Sequence, residues 1–420
     1  MKKLFILVLL FPFSSSARAQ SVLTLEKCFE IALRKNPEIN ENKQKIERRR
    51  YLYFAGINEY LPQVSLSHSA SFSGTQGAPS SSNYSNRVSA SETIFSLKTM
   101  SAVRKKKISY EKSLADYNVK SASVRYEVAR AFLEFLFVQE KLEVNRKIFS
   151  LRKQNADLLR LKYEGGRESR GAMLYALALK EMAKTNLKNS RRSVASASQQ
   201  LARLLGYPIK EKLRISGEFS VPKLDFDLEE KIKALKKSPR ILSLKKDIEN
   251  AEEELFSAKS DLYPKLTASQ SVSWTQDREV PSSQNWSLSL NLSLPLFSGG
   301  PTYHKNNVRA QTHYLRSLKK NYENTLRSLE ADLRQAHLDF LNAVDRASSH
   351  LKLLEAVDER YKEARIKYMA GKISFIDLES VEQNLVDAEM ERIEFLKTAN
   401  LNKLLMENIL GKTLEDSTGL

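Results

Sequence analysis

Gln63-Val64-Ser65-Leu66-Ser67-His68-Ser69-Ala70-Ser71-Phe72-Ser73 changes polarity at almost every step. In an extended chain successive side chains point to opposite faces. Val64, Leu66, Ala70 and Phe72, with His68 among them, therefore share one face, and Gln63 and the serines share the other. Three more runs repeat the pattern. In 87–95, Val88, Ala90 and Ile94 oppose Ser89, Ser91 and Thr93; next, Leu266, Ala268, Val272 and Trp274 oppose Thr267, Ser269, Ser271 and Ser273. Last, Trp286, Leu288, Leu290, Leu292 and Leu294 oppose Ser287, Ser289, Asn291 and Ser293. A half-buried soluble sheet shows the same period. Two features favour a membrane sheet. The polar side is nearly all Ser, Thr and Asn, which suits a water-filled lumen. Trp274 and Trp286 stand at strand ends, where barrels carry their aromatic girdles. Residues 74–86 and 275–285 read as polar loops.

Each run has about the ten residues that a tilted strand needs to cross a bilayer. Four strands cannot close a barrel, since membrane barrels start at about eight. An open sheet edge in hydrocarbon leaves backbone groups unpaired, at several kcal/mol each. If these strands lie in a membrane, several copies must complete one ring.

On either side of the strands the period changes. Residues 97–162 and 303–368 contain neither proline nor glycine. In the first, Leu114, Tyr117, Val124, Val128, Ala131, Phe135, Val138, Leu142, Phe149, Ala156 and Leu159 mark an apolar stripe. In the second, Leu315, Leu318, Tyr322, Leu329, Leu333, Ala336, Phe340, Ala347, Leu351, Leu354, Tyr361 and Tyr368 do the same. Steps near 3.5 residues mark a coiled-coil seam. Each helix would reach roughly 100 Å at 1.5 Å per residue, which suits a structure that crosses a wide gap. A shorter helix returns after each glycine-marked tip, where Gly166 and Gly371 can adopt the left-handed conformation that ends a helix.

The chain also repeats itself at an offset of about 202 to 205 residues. Residues 24–37 are echoed by 227–239, Leu61-Pro62 by Tyr263-Pro264, and Ile94-Phe95-Ser96 by Leu296-Phe297-Ser298. Lys162-Tyr163 with Gly166 returns as Lys367-Tyr368 with Gly371, and Leu205-Gly206 as Leu410-Gly411. Five pairs in one order imply a duplicated unit. Each half reads helix, helix, strand, strand, long helix, shorter helix. Thr24 and Asp227 are the expected N-caps, and Asn36-Pro37 and Ser238-Pro239 end the opening helices. The expected divisions are a leader at 1–19, a first repeat at 20–221, a second at 222–414 and a tail at 415–420, with the seam between halves at 216–224.

The leader is expected from Lys2 and Lys3, the apolar run at 4–13, and Ala17-Arg18-Ala19, with Gln20 as the first mature residue. That apolar run is too short for a spanning helix. The single cysteine, Cys28, cannot form an intramolecular disulfide and reads as a small apolar core residue. Among 420 residues there are only 13 glycines and 11 prolines, so long uninterrupted elements are expected. The net charge of +18 comes without a nucleic-acid motif or an aromatic-interleaved basic patch. It is assigned to solvated helix faces and lipid-headgroup contacts rather than to nucleic acid.

Taken together, these residues resemble the TolC-like outer-membrane efflux and secretion channels over essentially the whole mature chain. The resemblance rests on Leu25-Glu26, Ala32-Leu33 and Asn36-Pro37, the strand-leading Leu61-Pro62 and Tyr263-Pro264, and the strand exits Ile94-Phe95 and Pro295-Leu296-Phe297-Ser298-Gly299-Gly300. The two tips, Leu205-Gly206 and Leu410-Gly411 match as well. It implies a mainly α fold with a membrane β part: a long α-helical coiled-coil barrel, with four β-strands per subunit joining a trimeric 12-stranded β-barrel. The implied partners are two further copies, outer-membrane lipid, a periplasmic adaptor and an inner-membrane pump of RND or ABC type. The implied location is the outer membrane, with the helices in the periplasm. By position, adaptor docking falls on Gly166, Arg167, Glu168, Ser169 and Gly171 of the first tip, and on Gly371, Lys372, Ile373 and Ser374 of the second. Asp377 matches the first of two acidic residues that ring the periplasmic entrance in such channels, but Ser380 stands where the second would be. Ser374-Phe375-Ile376-Asp377 also reads as a helix capping box, and the two readings of Asp377 are compatible.

No catalytic, metal or cofactor site is expected. His68, His304, His313, His337 and His350 form no ligand cluster, and Gly165-Gly166-Arg167-Glu168 lacks the Lys and Ser/Thr of a phosphate loop. A passive duct energised by its partners is the leading expectation. The rival is an exported periplasmic coiled-coil scaffold without a pore, which leaves the four strands without a purpose.

Overall fold

A computed structural model describes residues 22–77, 81–211, 213–223, 227–276, 283–296 and 299–418. The expected leader lies outside these residues, as do Phe297 and Ser298. The first half comprises α1 (Leu25–Lys35), α2 (Pro37–Ile57), β1 (Gln63–Ser73), β2 (Ser81–Phe95), α3 (Leu97–Glu164) and α4 (Arg170–Leu204). The second comprises α5 (Leu228–Ala234), α6 (Pro239–Lys259), β3 (Lys265–Gln276), β4 (Ser283–Ser293), α7 (Tyr303–Met369) and α8 (Phe375–Leu410), followed by a short α9 (Leu414–Thr418). Both halves keep the order that the repeat predicts.

Local chemistry sets the boundaries. Thr24 and Asp227 cap α1 and α5, accepting the N–H groups of Lys27 and Glu229. Asn36 sits in the kink before Pro37. Its Oδ1 accepts N–H bonds from Glu38 at 2.8 Å and Ile39 at 3.1 Å, while its Nδ2 donates to Leu204 O at 2.7 Å. One buried amide thus caps α2 and bolts the opening helices to the end of α4. Cys28 is fully buried beside Phe29 and Ala32, and burial pushes its thiol up to about 12.

The four strands form one antiparallel sheet in the order β1-β2-β3-β4. The hairpins are taller than alternation alone predicts. β2 starts at Ser81 rather than Arg87, β3 runs on to Gln276, and β4 starts at Ser283. At these outer ends polar residues occupy both faces, so the amphipathic signal fades while the ladder continues through Ser73↔Ser81 and Thr275↔Ser283. The register also shifts between Thr93, opposite Thr267, and Phe95, opposite Leu266. Ile94 is the extra residue of this bulge, and Phe95 takes the place beside Leu266 that strict alternation gives to Ile94.

α3 and α7 contain 68 and 67 residues, roughly 100 Å each. α4 runs back along α3, and α8 along α7; nearer the sheet, α2, α3, α6 and α7 lie side by side. The expected stripes hold the core. Val124, Val128, Phe135, Ala156 and Leu159 on α3 are buried, as are Leu329, Leu333, Ala336, Phe340, Tyr361 and Tyr368 on α7. Leu114 and Leu351 depart from them and stay exposed; Leu351 borders an open groove between α3, α7 and α8. Around the waist, Arg125 donates to Glu407 over 2.8 Å, and Tyr117 donates to Glu415 of α9 over 2.7 Å. α9 and the end of α8 are thereby tied to α3.

Candidate functional site

The sheet carries two unlike faces and two bare edges. Val64, Leu66 and Phe72 on β1, and Trp286, Leu288, Leu290 and Leu292 on β4, are each 68% to 78% exposed. Register aligns Leu66, Val88, Val272 and Trp286 in one row across all four strands. Fully burying side chains of this size yields about 1.5–3 kcal/mol each, so an apolar band this broad marks contact with lipid or protein. The opposite face is a hydroxyl ladder: Ser65–Ser89 and Ser73–Ser81 pair at 2.8 Å, Ser269–Ser289 and Ser271–Ser287 at 3.0 Å. Among the described residues β1 and β4 each pair with one strand, which leaves a row of backbone donors and acceptors without a strand partner on both outer edges.

At the far end of the helices, the two tips share one construction. Gly166 and Gly371 have φ of +68° and +72°. Gly166 N–H donates to Tyr163 O and Arg167 N–H to Lys162 O; Gly371 N–H donates to Tyr368 O and Lys372 N–H to Lys367 O. Both are Schellman endings, which require the left-handed residue. Ser169 and Ser374 then cap α4 and α8. Arg167, Glu168, Lys372 and Ile373 complete the two turns at the same end of the molecule, and Gly171 follows in the first turn of α4.

Asp377 is in a full capping box. Its carboxylate accepts the Ser374 N–H at 3.0 Å and the Ser374 hydroxyl at 2.7 Å, and its own N–H donates back to Ser374 Oγ. These bonds, the hydroxyl first, hold its carboxyl below the usual range.

The structure adds contacts that the sequence did not predict. Tyr368 is buried and donates its hydroxyl proton to Glu168 Oε1 over 2.7 Å, while Lys162 Nζ stands 3.6 Å from the centre of the Tyr368 ring. Burial and the neighbouring carboxylate push the Tyr368 phenol well above its ordinary value. Farther from the tips, Arg152 Nε lies 3.0 Å from Glu382 Oε1, a charge contact outside hydrogen-bonding alignment. Asn155 Nδ2 donates to Glu382 Oε2, and Arg152 Nη2 donates to Gln383 Oε1 over 2.8 Å. Burial raises the Glu382 carboxyl, and Arg152 opposes that shift. Single charged residues within a helical run carry no sequence signal that they will meet; only the repeated Lys-Tyr pair hinted at Lys162 and Tyr368.

No described helix is long and apolar enough to cross a membrane, and no group of three or more His, Cys, Asp or Glu among the described residues is placed to hold a metal ion.

The comparisons agree with this geometry. The profile of the outer membrane efflux protein family matches twice, over residues 29–207 and 232–412, once per repeat. The alkaline protease secretion protein AprF of Pseudomonas aeruginosa is 22% identical, over 86% of this chain and 87% of its own. In fold, the chain is similar to the open-state MtrE outer membrane channel of Neisseria gonorrhoeae, with a TM-score of 0.82 at 21% identity, covering 94% of this chain and 90% of that one. It is also similar to the CmeC outer membrane channel of Campylobacter jejuni, with a TM-score of 0.83 at 17% identity, covering 92% and 85%. On the double match, which takes in most of both repeats, the chain belongs to the outer membrane efflux protein family.

Proposed function

We propose that three copies of this chain form an outer-membrane exit duct, serving either a tripartite efflux pump or a type I secretion system. The observation that carries the proposal is the sheet, with an apolar band on one face, hydroxyls on the other and two unpaired edges. In lipid those edges must be satisfied, and β4 of one copy meeting β1 of the next satisfies both. Twelve strands then enclose a lumen lined by the serine face. The helices below extend roughly 100 Å into the periplasm as a tunnel. The family is one of transport ducts, not enzymes, so energy comes from an inner-membrane partner of RND or ABC type, through a periplasmic adaptor.

The tips are the surface proposed for that adaptor, through Gly166, Arg167, Glu168, Ser169, Gly171, Gly371, Lys372, Ile373 and Ser374. Rigid Schellman turns present Arg167 and Lys372 at the end of the molecule. Asp377, in the first turn of α8, is the candidate constriction of the entrance. Its capping bonds engage Oδ2, which leaves the charge of the carboxylate available to the pore.

A poreless periplasmic scaffold leaves the apolar band facing water. Fractionation combined with planar-bilayer recording separates the two readings. A duct sediments with the outer membrane and conducts ions after reconstitution; a scaffold stays in the soluble fraction and conducts nothing.

A further inference from the structure

On the hydroxyl face the four strands carry Gln63, then Ser65 to Ser73 on β1, Ser81, Asn83, Ser85, Arg87, Ser89, Ser91 and Thr93 on β2, and Lys265 to Thr275 on β3, with Ser and Asn throughout β4. Within these strands the face holds no carboxylate and two cations. Lys265 stands at the first position of β3, opposite Ser293, at the rim toward the helices. Arg87 lies well inside the sheet. Its row is Ser67, Arg87, Ser273 and Asn285, and the rows on either side are all Ser except for Thr275. The surrounding hydroxyls bond one another in cross-strand pairs. Arg87 is exposed and forms no ion pair with any described residue.

An uncompensated guanidinium in a ladder of neutral hydroxyls is a local source of positive potential. We propose that Arg87 sets the charge preference of the barrel exit: three copies at one height form a cationic ring that concentrates anionic solutes and repels cations. This rests on the duct reading above, because it takes the hydroxyl face as the lumen. Twelve strands about 4.8 Å apart and tilted by roughly 35° to 45° give a backbone radius of roughly 11–13 Å. An arginine reaches far enough inward that most of the remaining bore lies within about 10 Å of a charge, the screening length at 0.1 M salt. The cargo class favoured at this segment is therefore anionic, whether a small solute or an acidic polypeptide.

The test measures potential beside the ring and does not depend on how far the periplasmic entrance is open. Ser89 is two residues from Arg87 on the same strand and face, and the one native cysteine, Cys28, is fully buried. In protein reconstituted into lipid bilayers, Ser89→Cys is labelled from the extracellular side with a sulfonate-bearing and a trimethylammonium-bearing methanethiosulfonate, one anionic and one cationic. Relative to a simple thiol in solution, the anionic reagent is expected to gain about fivefold over the cationic one. Adding Arg87→Gln removes the gain, and adding Arg87→Glu reverses it. A rate ratio that ignores both changes overturns the proposal while leaving the duct intact. Failure of both reagents to reach Ser89→Cys in a folded, conducting protein shows that the hydroxyl face is not the lumen, and overturns the proposal together with the reading beneath it.

Discussion

The hydroxyl of Tyr368, in the last turn of α7, donates to Glu168 of the first tip across 200 residues of sequence, over 2.7 Å. Lys162, the first-repeat counterpart of Lys367, lies over the same ring. The duplicated Lys-Tyr pair has thus diverged in role: Tyr368 is 2% exposed and Tyr163 is 38% exposed. The two hairpins are fastened to each other at their tips by residues from both repeats.

Tyr368→Phe removes this donor and leaves the Glu168 carboxylate without its partner. The expected cost is about 1–2 kcal/mol of local stability. Hydrogen exchange across 163–172 should quicken by roughly tenfold, since 1.4 kcal/mol is a factor of ten. Tyr163→Phe, at the exposed counterpart, should leave the same amides unchanged.

The Arg152–Glu382 pair holds α3 against α8 in a buried setting. Replacing Arg152 with Met strands the Glu382 charge and is expected to cost about 3 kcal/mol in thermal unfolding. Adding Glu382→Leu should restore most of it, because the charge that needed a partner is gone. Equal destabilisation in the single and double variants would contradict this account.

Acid should act oppositely at the two buried networks. The Glu382 carboxyl is raised in the folded protein, so the unfolded chain gives up its proton first, and stability here falls as pH climbs above the unfolded value of 4.5 toward the raised one. At the waist, burial alone would raise Glu407, but Arg125 and then Lys412 overcome it and hold the carboxyl below 4.5. Its contribution is present above the unfolded value and is lost as pH falls through the lowered one. Exchange at amides around Arg125 should therefore speed up on acidification below 4.5. Amides around Arg152 should lose protection as pH rises above 4.5, and Glu382→Gln should abolish that loss.

Asp377→Asn separates the two roles of this residue. Losing the carboxylate weakens the capping box, and α8 should fray at its first turn by exchange of residues 375–378. If three copies also line the entrance, cation preference in single-channel recordings falls. Frayed amides with unchanged conductance and selectivity would assign Asp377 to capping alone.

Much of the architecture was legible because two periodicities are strong and occur twice. The serine-backed alternation in 63–73 placed the strands, and the stripe from Val124 to Leu159 placed the long helices. The ends of β2 and β4 were not legible: Ser82, Asn83 and Gln284 are polar on both faces, so only backbone pairing, invisible in sequence, extends the hairpins. The bulge at Ile94 was hidden for the same reason, as either Ile94 or Phe95 satisfies an apolar position. At the tips, glycines betray turns, and Gly166 and Gly371 stand where expected. Glu382 and Arg152 are two charges among many on helical faces, and what makes them special is burial contributed by a helix more than two hundred residues away.

Completion of β1 and β4 by neighbouring copies is what turns the sheet into a ring. It is tested most directly by disulfide trapping between the bare edges: Ser67→Cys on β1 combined, one at a time, with cysteines at successive positions along β4, in cells and then in detergent. Bonds are expected between different chains at one register, building a covalent product of three chains and no larger. A chain that forms no intermolecular bond at any register, and runs as a monomer in buffer without detergent, would contradict it.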